Sequence, residues 1–597
     1  MSRRSTLVAH FIPACLFTLL AVGSAHAVED DAATLSDRGR DNLLAFARLV
    51  GDIRHFHPSD EAARLDWDRF VTAAVSEVES AADAQELAAV LRTWFEPIAP
   101  SIRIELTAQF QPTPHSSLDD HADNRVAVWT HAGFGQASQD GQRMNIYSSK
   151  RRFMRPGTTA DEGFPSYGET IRRDLPGGIT TDVPIAVLRR DRKTIPAGGV
   201  LPVDLDTIET DGTVRTVRFA SVILLWNVMQ HFYPYFDVVD TDWDAILPAA
   251  LDQAAMASAD QEHLHVLQRM VAALHDGHGS VWSMRRNTSM QLPFDWTWAG
   301  EELVITHAPT AASRPLSAGD VVMSIDGQPT ADVYAQACTR ISGATEGWKR
   351  HTSLALLRFE GTAAVVLELR RPDGSEYTAQ IQRVGFQRRY EKPRGDVVRT
   401  LDDGVMYVDL DQIKPEEFKE TIARLVDAPG VVFDMRGYPT VSPEFLYHVA
   451  DEPVRSANWN VPLIRYPDQR DVTWSTTYWP PQQREPRIES PVVWLTDGRA
   501  ISYAESCMAI VEHYELGPIV GATTAGTNGN VNPLKLPGGY QVAWTGMKVT
   551  THDDGQYHGV GVKPTHPCEP TVEGIAAGRD DVLERGLEVL RAMIRGE

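Results

Sequence analysis

Shifted by 176 residues without gaps, this chain of 597 residues superposes on itself over two segments. His55-Phe56-x-Pro58 falls on His231-Phe232-x-Pro234, Asp66-Trp67-Asp68 on Asp242-Trp243-Asp244, Gln85-Glu86 on Gln261-Glu262, and Val90-Leu91 on Val266-Leu267. A repeated segment must fold the same way twice and bury the same face each time. Apolar residues at helical spacing, as in Leu87, Val90, Leu91 and Trp94, predict a small antiparallel helical unit over 28–104 and a second copy over 205–288. The same shift sets Asp276-Gly277-His278 on Pro100-Ser101-Ile102. A unit that folds with Ile102 at that place does not need an imidazole for packing, so His278 is a candidate for chemistry. His275 and His278 stand three apart, but Gly277 breaks the helix between them and no third ligand of suitable spacing follows. No metal and no cofactor is expected.

A chain of this length exceeds what one hydrophobic core organises, so several domains are expected. The net charge of −23 opposes a nucleic-acid or anionic-membrane surface. The opening residues carry Arg3 and Arg4, an apolar run, and Ala25-His26-Ala27. That is the pattern of a cleaved secretory signal over 1–27, and it predicts a periplasmic or secreted protein. No later stretch reaches the roughly 18 uninterrupted apolar residues of a membrane span. Cys338, Cys507 and Cys568, odd in number and far apart, read as thiols and not as a disulfide framework or zinc site.

Between the helical copies, residues 105–204 take on an alternating β-branched and aromatic texture with turn chemistry at "DLPGGITTD", and an inserted β-domain is predicted. Strands recur from 289 to 385. In "GDVVMSIDGQPT", Gly319-Asp320 leads a buried strand (Val321, Val322, Ile325) into the tight turn Asp326-Gly327. That stretch resembles a PDZ domain, which implies an extended peptide adding to a sheet edge, with Gly319 among the residues that meet it.

From 386 to 597 short apolar strands alternate with helices, as in "GVMYVDLDQI", "VVFDMRG" and "PVVWLTDGRA". The pattern is that of a mostly parallel sheet flanked by helices on both faces, so the fold class is multidomain α/β. Ligand sites in such sheets lie at strand C-terminal ends. In Asp434-Met435-Arg436-Gly437-Tyr438, Gly437 lets the backbone turn sharply and aim an N–H into a cleft, with Arg436 and Tyr438 beside it as substrate contacts. In "DGRAISYAES", Ser502 opens a helix, so its hydroxyl lies near N–H groups that can face a developing oxyanion. Taken locally, Ser502 with Glu505 three positions on is also a capping box.

The succession of helical unit with His278, PDZ-like module, Asp-Met-Arg-Gly loop and Ser-x-x-Glu at a helix start resembles the C-terminal processing, tail-specific and tricorn-core serine peptidases over residues 220–590. The resemblance implies a ClpP/crotonase-like catalytic domain, Ser502 as nucleophile, and Gly437 and Tyr503 as the oxyanion-hole donors. Tail-specific members use a lysine downstream of the serine, at the position held here by Thr527. Tricorn-like members use a histidine from the preceding helical region, and His278 is placed as that histidine. An imidazole titrating near neutrality can take the Ser502 proton and return it to the leaving amine. Tricorn-like members also carry a glutamate shortly before a Gly-Val-x-Pro-Asp segment. In "DDGQYHGVGVKPT" His558 stands at that place and Thr565 replaces the final aspartate, so His558, Asp553, Asp554 and Glu505 share the candidacy for the third role. The expected function is a serine endopeptidase acting on peptides or unfolded protein through an acyl-enzyme. The alternatives are a peptide holder without turnover, and an esterase, although no Gly-x-Ser-x-Gly elbow surrounds Ser502.

Overall fold

A computed structural model describes residues 33–112, 118–119, 121–135, 146–285, 290–361, 363–386, 394–401 and 403–597. The leader expected over 1–27 lies outside them. The architecture is multidomain α/β, with helices and several separate sheets.

Helices Asp37–Phe56, Trp67–Ser80 and Ala84–Phe95 are answered by Arg215–Phe232, Trp243–Met256 and Asp260–Ala272, and the second and third of each set begin 176 residues apart (243 − 67 and 260 − 84). Asp66 and Asp242 each cap the middle helix of their set, accepting from the backbone N–H three residues on. The six helices share one hydrophobic core and do not form two separate bodies. At its centre the paired histidines and phenylalanines pack edge to face. His55 lies 5.8 Å from His231 and 5.0 Å from Phe232, and Phe56 lies 5.1 Å from His231.

Burial pushes the imidazoles of His57 and His231 down to about 3 and that of His131 to about 4, while His55 also falls well below its usual value. Such a histidine binds fewer protons folded than unfolded. Its contribution is complete above about pH 6.5 and is lost as pH falls toward the folded value. By pH 5 each costs on the order of 2 kcal/mol. The thermal midpoint is therefore expected to lie roughly 10 °C lower at pH 5 than at pH 7, and equal midpoints would show that these rings are hydrated.

The segment 105–204 does not close on itself. Strands Arg125–Ala132, Ser148–Met154, Ala186–Arg190 and Lys193–Ile195 share a seven-stranded sheet with Asn458–Ile464, Thr473–Thr477 and Lys548–Thr550, with His131 opposite Ile464. Local alternation predicts a strand but not its partner, which is why the sequence suggested a self-contained insert. Segment 290–385 does build its own sheet and core, with helix Glu346–Phe359 laid along strand Asp295–Ala299. Trp296 Nε1 donates to the Leu354 carbonyl (3.3 Å) and Trp298 Nε1 to Ser353 Oγ (3.2 Å).

The last segment carries a six-stranded sheet in the order Val398–Thr400, Met406–Asp409, Val431–Asp434, Val492–Thr496, Ile519–Gly521, His566–Pro567, parallel after the first pair. Side chains alternate between two cores. Met406, Val408, Phe433 and Trp494 meet helices Pro415–Asp427 and Tyr503–His513, whereas Tyr407, Val432, Val493 and Leu495 meet Asp581–Arg595. Cys338, Cys507 and Cys568 are free thiols. Among the described residues no helix is long and apolar enough to cross a membrane.

Candidate active site

Two long-range contacts assemble the site. Strand Ser280–Ser283, just after the Asp276-Gly277-His278 loop, pairs antiparallel with Tyr540–Thr545, with Ser280 opposite Ala543. Thr527 then ties that loop to the turn before helix Tyr503–His513: its Oγ1 accepts from Gly277 N–H (2.8 Å) and its carbonyl from Ser502 N–H (2.9 Å). A Cβ on Gly277 would sit 2.9 Å from Thr527 Oγ1 and 3.0 Å from Ile501, so only glycine allows the loop this close to the residue before Ser502.

Ser502 follows strand Val492–Thr496 and the Asp497-Gly498 turn, at the strand's C-terminal end. Its φ of 60° is a costly conformation for a residue with a Cβ, and its side chain makes no cap bond. The capping box is therefore not formed. Glu505 turns into the interior, where it accepts from Thr524 Oγ1, Gly526 N–H and Thr527 N–H (2.7 Å each for the two amides). Burial pushes this carboxyl up to about 7 against the pull of those donors. A capping box needs Glu505 to serve the Ser502 N–H over its own first turn, but that N–H donates to the Thr527 carbonyl and Glu505 is held by three donors of the 524–527 loop. Glu505 is thus the clamp on the loop whose Thr527 holds both Ser502 and Gly277.

Segment 290–385 buttresses the same place. Ser342 Oγ accepts from Asp276 N–H (2.9 Å), and Thr345 Oγ1 donates to the Thr524 carbonyl (3.1 Å).

The ring of His278 is tied at one nitrogen: Nδ1 lies 2.9 Å from Thr545 Oγ1, which in turn donates to Asp276 Oδ1 (2.7 Å). Asp276 is fully buried and its carboxylate also accepts from the His278 N–H (3.0 Å) and the Thr545 N–H (2.6 Å). Burial lowers the His278 pKa and the Asp276 charge raises it back in part.

The other sequence candidates are placed differently. His558 stacks on Tyr235 (4.0 Å) and its Nε2 lies 3.1 Å from the His275 carbonyl. Asp554 accepts from Asn458 (2.7 Å) at the hairpin holding Lys548–Thr550, and Asp553 accepts from Thr551 at the surface. Arg436 is buried in a fork with Asp434 (2.6 Å) and Asp580 (2.8 Å) and cannot reach a substrate. Gly319 packs against Ala576, where a Cβ would come within 2.5 Å, and lies inside the chain instead of at a peptide-binding edge.

Gly437 takes a φ of 141°, but its N–H closes a turn on the Met435 carbonyl (2.9 Å) instead of facing a cleft, because Asp411 fills the space beneath it. Asp411 also accepts from Tyr438 N–H (3.0 Å). The Tyr438 ring is 48% exposed and 5.9 Å from that of Tyr503. Burial raises its pKa, while the Ser502 hydroxyl and the Tyr503 N–H, both donating toward the phenolic oxygen, lower it.

Sequence reading missed Thr527 and Thr545 as site residues, and passed over Asp276 although it stands two positions before His278. Asp276 had a signal in its triplet, absent from the first copy. Thr527 entered the sequence reading only as the residue in place of a lysine, and Thr545 had no signal, since its hydroxyl meets His278 from 267 positions away. Among the described residues no group of three or more His, Cys, Asp or Glu is arranged to hold a metal ion.

Residues 404–568 match the family model for peptidase family S41. No curated protein sequence matches the chain. Among solved structures, mature CPAF superposes with a TM-score of 0.54 at 15% identity, over 63% of this chain and 97% of that one. Mature CPAF complexed with lactacystin gives 0.53 at 15% identity, over 63% and 98%. At such identity the likeness is one of fold. Over residues 404–568 the chain is thus similar to peptidase family S41, and that similarity supports a serine-type peptidase.

Proposed function

We propose that the chain is a secreted or periplasmic endopeptidase in which Ser502 attacks the scissile carbonyl and His278 is its general base. The observation that carries this reading is Thr527, whose carbonyl holds the Ser502 backbone while its hydroxyl holds the backbone beside His278. Because one residue bonds both the Ser502 and the Gly277 backbones, the proposed nucleophile and base lie on adjoining loops.

The Tyr503 N–H, at a helix N-terminus, is the first oxyanion donor. The Gly437 N–H joins it after rotating away from the Met435 carbonyl. The helical units over 28–104 and 205–288 serve as a duplicated scaffold, 289–385 as a PDZ-like module against the site, and 386–597 as a ClpP/crotonase-like catalytic domain. A serine-reactive phosphonate is expected to label the purified protein once, with the adduct mapping to Ser502 by peptide mass spectrometry. A label elsewhere, or none while peptide is being cut, refutes the assignment. Peptide and ester substrates compared on the same preparation separate peptidase from esterase.

A further inference from the structure

We propose that Asp276 and Thr545 together orient His278, taking the role for which the resemblance points to position 558. The proposal rests on His278 being the base for Ser502.

The hydrogen-bond arithmetic of three groups carries it. An ionised carboxylate only accepts, and a threonine hydroxyl has one proton to give. The Thr545 proton goes to Asp276 Oδ1 (2.7 Å), so toward the ring nitrogen 2.9 Å away Thr545 Oγ1 can only accept. His278 Nδ1 therefore carries the ring proton, and the lone pair sits on Nε2, as a general base requires. The chain of partners is Nδ1–H to Thr545 Oγ1, then Thr545 O–H to Asp276 Oδ1. It cannot slide, because Asp276 also holds both backbone N–H groups of the pair it joins. The pairing of Ser280–Ser283 with Tyr540–Thr545 puts the threonine there, since a slip of one residue would turn its side chain to the other face.

In the reaction, the Ser502 Oγ–H proton passes to Nε2 as the bond from Oγ to the carbonyl carbon forms. The same proton passes from Nε2 to the leaving amine as the C–N bond breaks, and the Nδ1 proton stays in place throughout. The imidazolium that exists between these steps faces the Asp276 charge through one hydroxyl. The other titratable groups facing the cluster are His275 and His558 from flanking loops, both held toward neutrality by burial, and the phenols of Tyr147, Tyr233 and Tyr235, which burial and Asp276 keep protonated. None of them supplies a negative charge. His558 donates its Nε2–H to the His275 carbonyl, an arrangement that leaves it unable to compensate an imidazolium.

The test compares Thr545→Val, Thr545→Ser and Asp276→Asn in the full chain, measuring kcat, KM, the acid limb of the kcat/KM profile, and the rate of phosphonate labelling. Thr545→Val keeps the shape and removes the hydroxyl. It is expected to lower kcat and the labelling rate by roughly ten- to a hundredfold with KM little changed, and Thr545→Ser to restore them. Asp276→Asn is expected to move the acid limb to lower pH, because the imidazolium loses its counter-charge, and to slow labelling roughly a hundredfold or more. Should Asp276→Asn fail to fold, because it also holds two backbone amides, the Val and Ser variants decide the matter. Wild-type kcat in Thr545→Val, with the acid limb unmoved, overturns the proposal while leaving the Ser502–His278 reading intact. Absence of Ser502 labelling in the unmodified protein overturns that reading, and this proposal with it.

Discussion

Ser502→Ala is expected to give a folded protein whose peptide hydrolysis is down by roughly a millionfold in kcat, the size of loss seen where a serine–histidine pair acts as a unit. The loss of chemistry and the survival of the fold have separate physical reasons. The turn at Ser502 is held by the backbone: its N–H donates to the Thr527 carbonyl (2.9 Å), and its carbonyl accepts from Ser506 N–H (2.9 Å). Both bonds persist with alanine. The hydroxyl caps nothing, so its removal leaves no orphaned helix donor that was previously satisfied. The φ of 60° is as costly for alanine as for serine. Ser502→Gly relieves it and is expected to raise stability by about 1 kcal/mol with activity still absent. Peptide hydrolysis followed beside thermal melting checks both halves. Turnover retained by the alanine variant would remove Ser502 from the chemistry.

Arg436→Met is expected to lower stability by about 3–5 kcal/mol, the cost of leaving a buried charge without its partner. Asp434 is fully buried at the end of its strand, and Arg436 contacts it through Nε (3.0 Å) and Nη2 (2.6 Å). Two further Arg436 bonds, both 2.8 Å, reach Asp580. Asp580 caps helix Asp581–Arg595, which covers one face of the sheet. Burial alone would raise the Asp434 pKa, but the Arg436 and Arg394 guanidiniums hold it well below the usual carboxylate range. A carboxylate so depressed adds stability above about pH 4, and that stability is lost as pH falls toward the folded value. The gap between Arg436→Met and the parent is therefore widest near neutrality and narrows in acid, which denaturant unfolding at two pH values measures. A raised KM with unchanged stability would instead make Arg436 the substrate contact that its loop position suggested.

Much of this was legible in the residues. Helical spacing fits the helices Ala84–Phe95 and Asp260–Ala272, and the apolar runs of Val431–Asp434 and Val492–Thr496 fit buried parallel strands. The two loops at their C-terminal ends are where Gly437 and Ser502 stand. What the residues misled on were local motifs with a stronger distant competitor. Ser502 and Glu505 read as a capping box until the 524–527 loop presents three donors to Glu505. Arg436 read as a cleft residue until Asp580 arrives from the last helix.

Periodicity and turn chemistry, acting over a few residues, determined the elements of this protein and the loops that end them. Only the tertiary structure decided that Thr545 meets His278, that Asp276 stands behind both, and that Thr527 ties the Ser502 and Gly277 backbones together. The physical reason is that hydrogen-bond partners 269 positions apart are chosen by strand register, and register is set by the packing of the whole chain rather than by the residues that finally touch.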